Sequence, residues 1–105
     1  MRVGRWMSPA EHDAMVETGM VQEGAGGVTS VANPADINAY MRQAAPGTRY
    51  VEFNVPGDVL RQGGAPGWGI IPGPNSIFAR YAASRGLPIP QFPGASEIEW
   101  VASRI

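Results

Sequence analysis

Arg49–Val55 reads RYVEFNV and is closed by Pro56. Val51, Phe53 and Val55 alternate with Tyr50, Glu52 and Asn54, the two-residue period of a strand with one face on a core. Two further segments read as strands: Val28–Ala32 (VTSVA), which follows the flexible run Gly24-Ala25-Gly26-Gly27, and Glu97–Ala102 (EIEWVA), which closes the sheet. Weaker strand signals lie at Val3–Met7 and, inside the loop GGAPGWGIIPGPN, at Trp68–Ile71. Helical grammar fills the gaps. Ser8-Pro9-Ala10-Glu11 sets a cap, a first-turn proline and a capping-box glutamate in order, and Gly19 is the stop, which predicts a helix over Pro9–Thr18. Asn33-Pro34-Ala35-Asp36 repeats that grammar and predicts a second helix to about Ala44, with Ile37, Tyr40 and Met41 inward. A third helix is predicted from Asn75 or Ser76 to Gly86, with Ile77, Phe78, Tyr81 and Ala82 inward. Arg85–Ala95 (RGLPIPQFPGA) is too rich in proline for regular structure and is expected to be a loop. The order has no βαβ repeat and no Rossmann glycine fingerprint, so the class is α+β.

A chain of 105 residues supports one core, so a single domain over residues 1–105 is expected. With 14 Gly and 10 Pro, its elements are short and its loops long. A net charge of -1 leaves no electrostatic footprint for non-specific nucleic-acid binding. All eight basic residues are arginine, planar forks suited to phosphates and carboxylates. No cysteine means no thiolate metal site and no thiol nucleophile, and a lone histidine cannot build a histidine cage, so no metal is expected. No run approaches the roughly eighteen apolar residues of a membrane span, and no membrane partner is expected.

Several residues carry possible chemistry. Glu97 and Glu99 are two apart, so on an extended chain both leave one face while Ile98 and Trp100 leave the other. Such a pair is either a solvated edge or a working E-x-E, one carboxylate steadying a developing sugar cation and the other placing an acceptor. Arg5, beside Trp6 on the first strand, can grip a pyrophosphate or simply lie on the surface. Thr29 and Ser30 offer hydroxyls just after a double glycine, Glu52 is a possible buried carboxylate, and Trp68 sits in a glycine- and proline-rich loop. His12, between Glu11 and Asp13 on the first helix, is expected to be exposed.

The stretches RWMSPAEHDAMVETGMVQEGAGGVTSVANPAD, YVEFNVP and GWGIIPGPNS resemble the TreTu-type toxin domains found at the C-termini of Rhs polymorphic effectors. The resemblance runs from Arg5 to the last strand. It implies a compact ADP-ribosyltransferase fold with a split β core that binds NAD as substrate without a Rossmann unit, here with about three short helices. It also implies delivery by type VI secretion within a larger effector, action in the cytoplasm of a competing bacterium, elongation factor Tu as target, and a cognate immunity protein. Carried over to this chain, the R-S-E layout makes Arg5 the first-strand arginine, Thr29 with Ser30 the hydroxyl motif, and Glu97 with Glu99 the E-x-E strand, Glu99 being the catalytic glutamate. Backbone around Arg5–Met7, including Trp6, would hold the nicotinamide amide, and Trp68 or Tyr50 would stack on a ring. Two features depart from the family pattern. The hydroxyl motif is Val28-Thr29-Ser30 rather than Ser-Thr-Ser, and the closing strand has more acids than expected, which keeps Glu52 as a further catalytic candidate.

Three other readings stay open on sequence. The same chemistry can act on structured RNA. A non-enzymatic module can block a partner through its glycine- and proline-rich loops, in which case NAD does not bind. A ribonuclease can use His12 with an acid.

Overall fold

A computed structural model describes residues 1–105. Six strands form one antiparallel sheet: β1 (Arg2–Met7), β2 (Val28–Ala32), β3 (Arg49–Asn54), β4 (Arg61–Gln62), β5 (Trp68–Pro72) and β6 (Ser96–Ser103), in the order β4-β5-β2-β1-β3-β6. Two helices, α1 (Pro9–Thr18) and α2 (Ile77–Ser84), complete the α+β architecture.

The alternation in RYVEFNV places Val51, Phe53 and Val55 in the core beside Val3 and Met7 of β1, Val31 of β2, Ile71 of β5 and Met15 of α1. Helix α1 is bounded as its local signals require: the Ser8 hydroxyl accepts from the Glu11 amide, and Gly19 ends the helix at φ 67°. Only half of the capping box forms, because the Glu11 carboxylate turns to Arg5. Residues of Arg85–Ala95 form a loop, tied down by an isolated bridge between Met20 and Gly94.

The helix expected over Pro34–Ala44 does not form. Long-range bonds hold its first residues against other elements: Asn33 N–H donates to Gly67 O and Ala35 N–H to Arg2 O. The Asp36 carboxylate then caps the Asn38 amide in a tight turn, and Tyr40 adopts φ 63°, which no α-helix accommodates. Only a single 3₁₀ turn, Met41–Gln43, remains. In α2 the inward residues are Ala79 and Ala82 with a half-buried Phe78, whereas Ile77 and Tyr81, expected inside, stand in solvent. Small residues face the sheet there because Gly27, Gly73 and Ser76 bring the backbones together: a Cβ at Gly27 would lie 2.6 Å from the Asn75 carbonyl. His12 is also corrected, being buried, with Nδ1 3.0 Å from Arg49 Nη1 and its ring edge-on to Trp100.

The β1–β2 junction positions everything that follows. β1 pairs with β3 over six residue pairs but with β2 only through Gly4 and Ala32. Beyond that point the two strands splay, and Trp6 and Ser30, which would face each other two residues further along the register, line an open gap.

Candidate functional site

The gap between β1 and β2 is a cleft of about 150 Å³, lined by Arg5, Trp6, Ser30, Tyr40, Gln43 and Ala44. It has room for one ring of a larger ligand, not for a whole dinucleotide. Three of the expected residues meet here, Arg5 and Trp6 from β1 and Ser30 from β2. Trp68 joins them through Tyr40, whose ring stacks on it at 4.4 Å. Burial raises the Tyr40 phenol above its ordinary pKa, against the opposing effects of the Ser30 hydroxyl and the Arg5 charge.

Arg5 starts on the core side of β1 and reaches into the gap under tight control. Nε and Nη2 donate to the two Glu11 oxygens at 2.6 and 3.1 Å, and Nη1 donates to Ser30 O at 2.8 Å. Both side chains of this ion pair are less than a fifth exposed. It therefore sits in a medium where a bidentate fork is strong. Lysine cannot reproduce three bonds in one plane. Arg5→Lys is accordingly expected to lower stability by about 1–2 kcal/mol, read as a shift in the urea midpoint at unchanged slope; a midpoint equal to the parent's would show that the fork is not held.

Thr29 and Ser30 part company. Adjacent strand residues face opposite sides, and Thr29 is fully buried with its hydroxyl donating to Gln22 O, while Ser30 lines the cleft. The structure thus brings one hydroxyl of the pair to the cleft and uses the other to anchor the loop before β2.

The carboxylates lie on the same face as the cleft, toward β6. The register runs Glu99–Glu52–Gly4–Ala32–Trp68 across five strands, a row that starts at the acids and ends at the tryptophan. Arg2 organises the acidic end: Nη2 donates to Glu99 Oε1 at 3.1 Å, Nε lies 3.5 Å from Glu52 Oε1, and Nη1 donates to Glu97 O at 2.9 Å. Glu97, at φ 48°, sits where the register slips between Glu52 and Asn54, and its own carboxylate accepts from Asn54 Nδ2. A bulge, not a regular alternation, therefore keeps Glu97 beside Glu99. Arg2 carried no sequence signal as an organiser of this cluster, because its partners are 50 to 97 residues away.

Tyr50 links the acids to the cleft. Its ring lies 5.4 Å from that of Trp6, its hydroxyl passes over Gly4, and it donates to Glu52 Oε2 at 3.0 Å. Burial first, then the hydrogen bond and charge of Glu52, hold its phenol well above the ordinary tyrosine pKa, so at neutral pH it is a proton donor to that carboxylate. Glu52 is the less exposed of the two acids on this row, with a side chain 24% exposed against 65% for Glu99. By register it also lies one strand nearer the gap.

No group of three or more His, Cys, Asp or Glu is placed to hold a metal ion, and no helix is long and apolar enough to cross a membrane. A family model described as the C-terminal domain of the TreTu toxin matches residues 1–99. No curated protein matches the chain.

Proposed function

The chain belongs to the TreTu toxin C-terminal domain family and is a toxin domain; from that premise we propose that it transfers ADP-ribose from NAD to a protein of the translation machinery, elongation factor Tu, and so stops protein synthesis. The observation that carries this reading is the open β1–β2 junction, which sets a fixed arginine, two aromatic rings and a serine beside a row holding two carboxylates. The family resemblance implies a split β core, and the open junction supports that reading.

The donor set fits a dinucleotide. Arg5 keeps unused N–H groups on its two terminal nitrogens for a phosphate or ribose oxygen. Trp6 and Tyr40 present flat apolar faces to a ring, with Trp68 stacked on Tyr40, and backbone of the unpaired end of β1 is placed to bond an amide. NAD, when bound, supplies a ribose whose bond to nicotinamide breaks as positive charge develops on the sugar. A carboxylate on the Glu99–Glu52 row stabilises that charge, and the acceptor nucleophile then bonds to the same carbon. On this reading the producing cell keeps the domain harmless with a cognate immunity protein, and the domain travels within a larger Rhs effector delivered by type VI secretion.

The test is direct. Purified domain is incubated with labelled NAD and a bacterial lysate, with protease or nuclease added afterwards. A protease-sensitive labelled band at the size of elongation factor Tu is expected. Label in RNA keeps the chemistry and replaces the acceptor; NAD left intact with nothing labelled overturns the transferase reading in favour of a blocking module.

A further inference from the structure

Tyr40, Gln43 and Ala44 form one wall of the cleft, and the segment that carries them, Asp36–Pro46, is barely attached to the rest of the fold. Ala35 N–H donates to Arg2 O just before it, and Gly47 N–H donates to Arg104 O just after it. Between those anchors every backbone-to-backbone hydrogen bond is local, within turns such as Asp36–Ala39, Tyr40–Gln43 and Met41–Ala44. None of the segment's residues is buried. Side chains hold it against the sheet: the Trp6 indole donates to Ile37 O at 3.0 Å, and the Tyr40 ring stacks on Trp68 at 4.4 Å and 24°. A segment pinned at its ends with few ties between them is the part of a fold that opens first. Gly47, at φ 87° with open space around it, gives one end a hinge.

Tyr40 is the strained point of this segment. A bulky L-residue holds φ 63° only at a cost, and the stack on Trp68 offsets it. Relaxing that φ re-aims the ring, so strain and stacking oppose each other across one contact. Tyr40 is also a partition. On one side lies the cleft with Arg5, Trp6 and Ser30; on the other lies Trp68. Trp68 shares the sheet face of Ser30, two residues along β5 from Ile70, the partner of Ser30, a step of roughly 7 Å. With Tyr40 withdrawn, the Trp68 face becomes continuous with the cleft, and another flat ring can take the same stack. Base-to-aromatic stacking needs only a planar π-face, and Arg5 offers its free N–H groups to a phosphate. A nucleotide meets both requirements.

We propose that Asp36–Pro46 is a strap that opens to admit the substrate, and that Trp68 is a base-stacking platform which Tyr40 covers until a nucleotide base displaces it. NAD then has a place for each of its rings, one against Trp6 and one on Trp68, where the cleft with Tyr40 in position takes a single ring. The inference rests on reading the cleft as a nucleotide site, but not on the transfer of ADP-ribose.

The two rings of the stack give effects of opposite sign when each is removed. Binding of NAD and of AMP to the full chain is measured by isothermal titration calorimetry. Tyr40→Ala removes the cover and is expected to tighten both by about threefold or more, because a covered form lowers apparent affinity by the open fraction. Trp68→Ala removes the platform and is expected to weaken both by about tenfold or more, with Trp68→Phe recovering most of the loss. Arg42, exposed on the strap, reports opening without a nucleotide. Native-state tryptic cleavage after Arg42 is expected to speed up about threefold or more in Tyr40→Ala and to return toward the parent rate in Tyr40→Phe, which keeps the stack. Circular dichroism checks that each variant is folded. Weaker binding by Tyr40→Ala, shifts of the same sign in the two alanine variants, cleavage at Arg42 indifferent to Tyr40→Ala, or binding of neither nucleotide would overturn the proposal. If the opposite shifts hold for AMP while no ADP-ribose is ever transferred from NAD, the transferase reading has failed and the covered platform has not.

Discussion

Glu52→Gln is expected to cut ADP-ribosyl transfer by about a hundredfold or more, the loss of some 2.7 kcal/mol of charge stabilisation in the transition state, in a domain that remains folded. The amide keeps the shape of the carboxylate and can still accept from Tyr50, so what it removes is the negative charge one strand from the gap. Glu99→Gln is expected to cost less than about tenfold, because Glu99 is one strand further out and more exposed. The measurement is turnover of labelled NAD onto the protein fraction, with growth arrest as a second readout. The reverse ranking would give the role to Glu99, as the E-x-E layout of the family implies, and would place the ribose nearer β6. A Glu52→Gln chain that is folded and fully active ends the candidacy of Glu52.

The second large effect is structural and lies under the cleft. Gly27→Ala is expected to destabilise the domain by about 3 kcal/mol, because two penalties add. Gly27 has φ 77°, where an L-residue costs roughly 1–2 kcal/mol, and its new Cβ would stand 2.6 Å from backbone atoms of Asn75 that cannot step aside, an overpacking worth about 1–3 kcal/mol more. In a domain of this size that is a fall in Tm on the order of 15 °C. Gly26 is the internal control. It has φ 72° but open space around it, so Gly26→Ala carries only the first penalty. Calorimetry of the two variants would disprove the steric account if they melted together. The consequence reaches function, since Gly27 O accepts from Gly73 and so holds the start of β2, which carries Ser30, against the approach to α2.

Of the candidate site, the residue types were legible and their partnerships were not. Arg5, Trp6, Ser30 and Trp68 were singled out from the chain, and the fold gathers them at one gap, Trp68 by way of Tyr40. Their organisers were invisible: Glu11 read as half of a capping box, Arg2 carried no signal, and Tyr40 read as the inner face of a helix. Each acquires its role from a partner that is not a sequence neighbour on any local period. Arg5–Glu11 joins a strand to the first turn of a helix, Arg2–Glu99 joins opposite ends of the chain, and Tyr40 meets Trp68 only because β5 pairs with β2.

What the amino-acid sequence determined by itself was everything whose free energy is local. Pro9–Thr18 is a helix because Ser8, Pro9 and Gly19 satisfy or terminate its own backbone, and Arg49–Asn54 is a strand because its apolar residues recur at a period of two. Asn33–Ala44 carried equally good local signals and lost: Asn33 and Ala35 are tied to Gly67 and Arg2, Asp36 caps Asn38 in a tight turn, and Tyr40 sits at φ 63°. Only the tertiary structure could decide that contest, and with it the splay at Gly4, the burial of Thr29 against the exposure of Ser30 to the cleft, and the row of carboxylates. Strand register and long-range hydrogen bonding are set by the packing of the whole core, and no window of neighbouring residues contains that information.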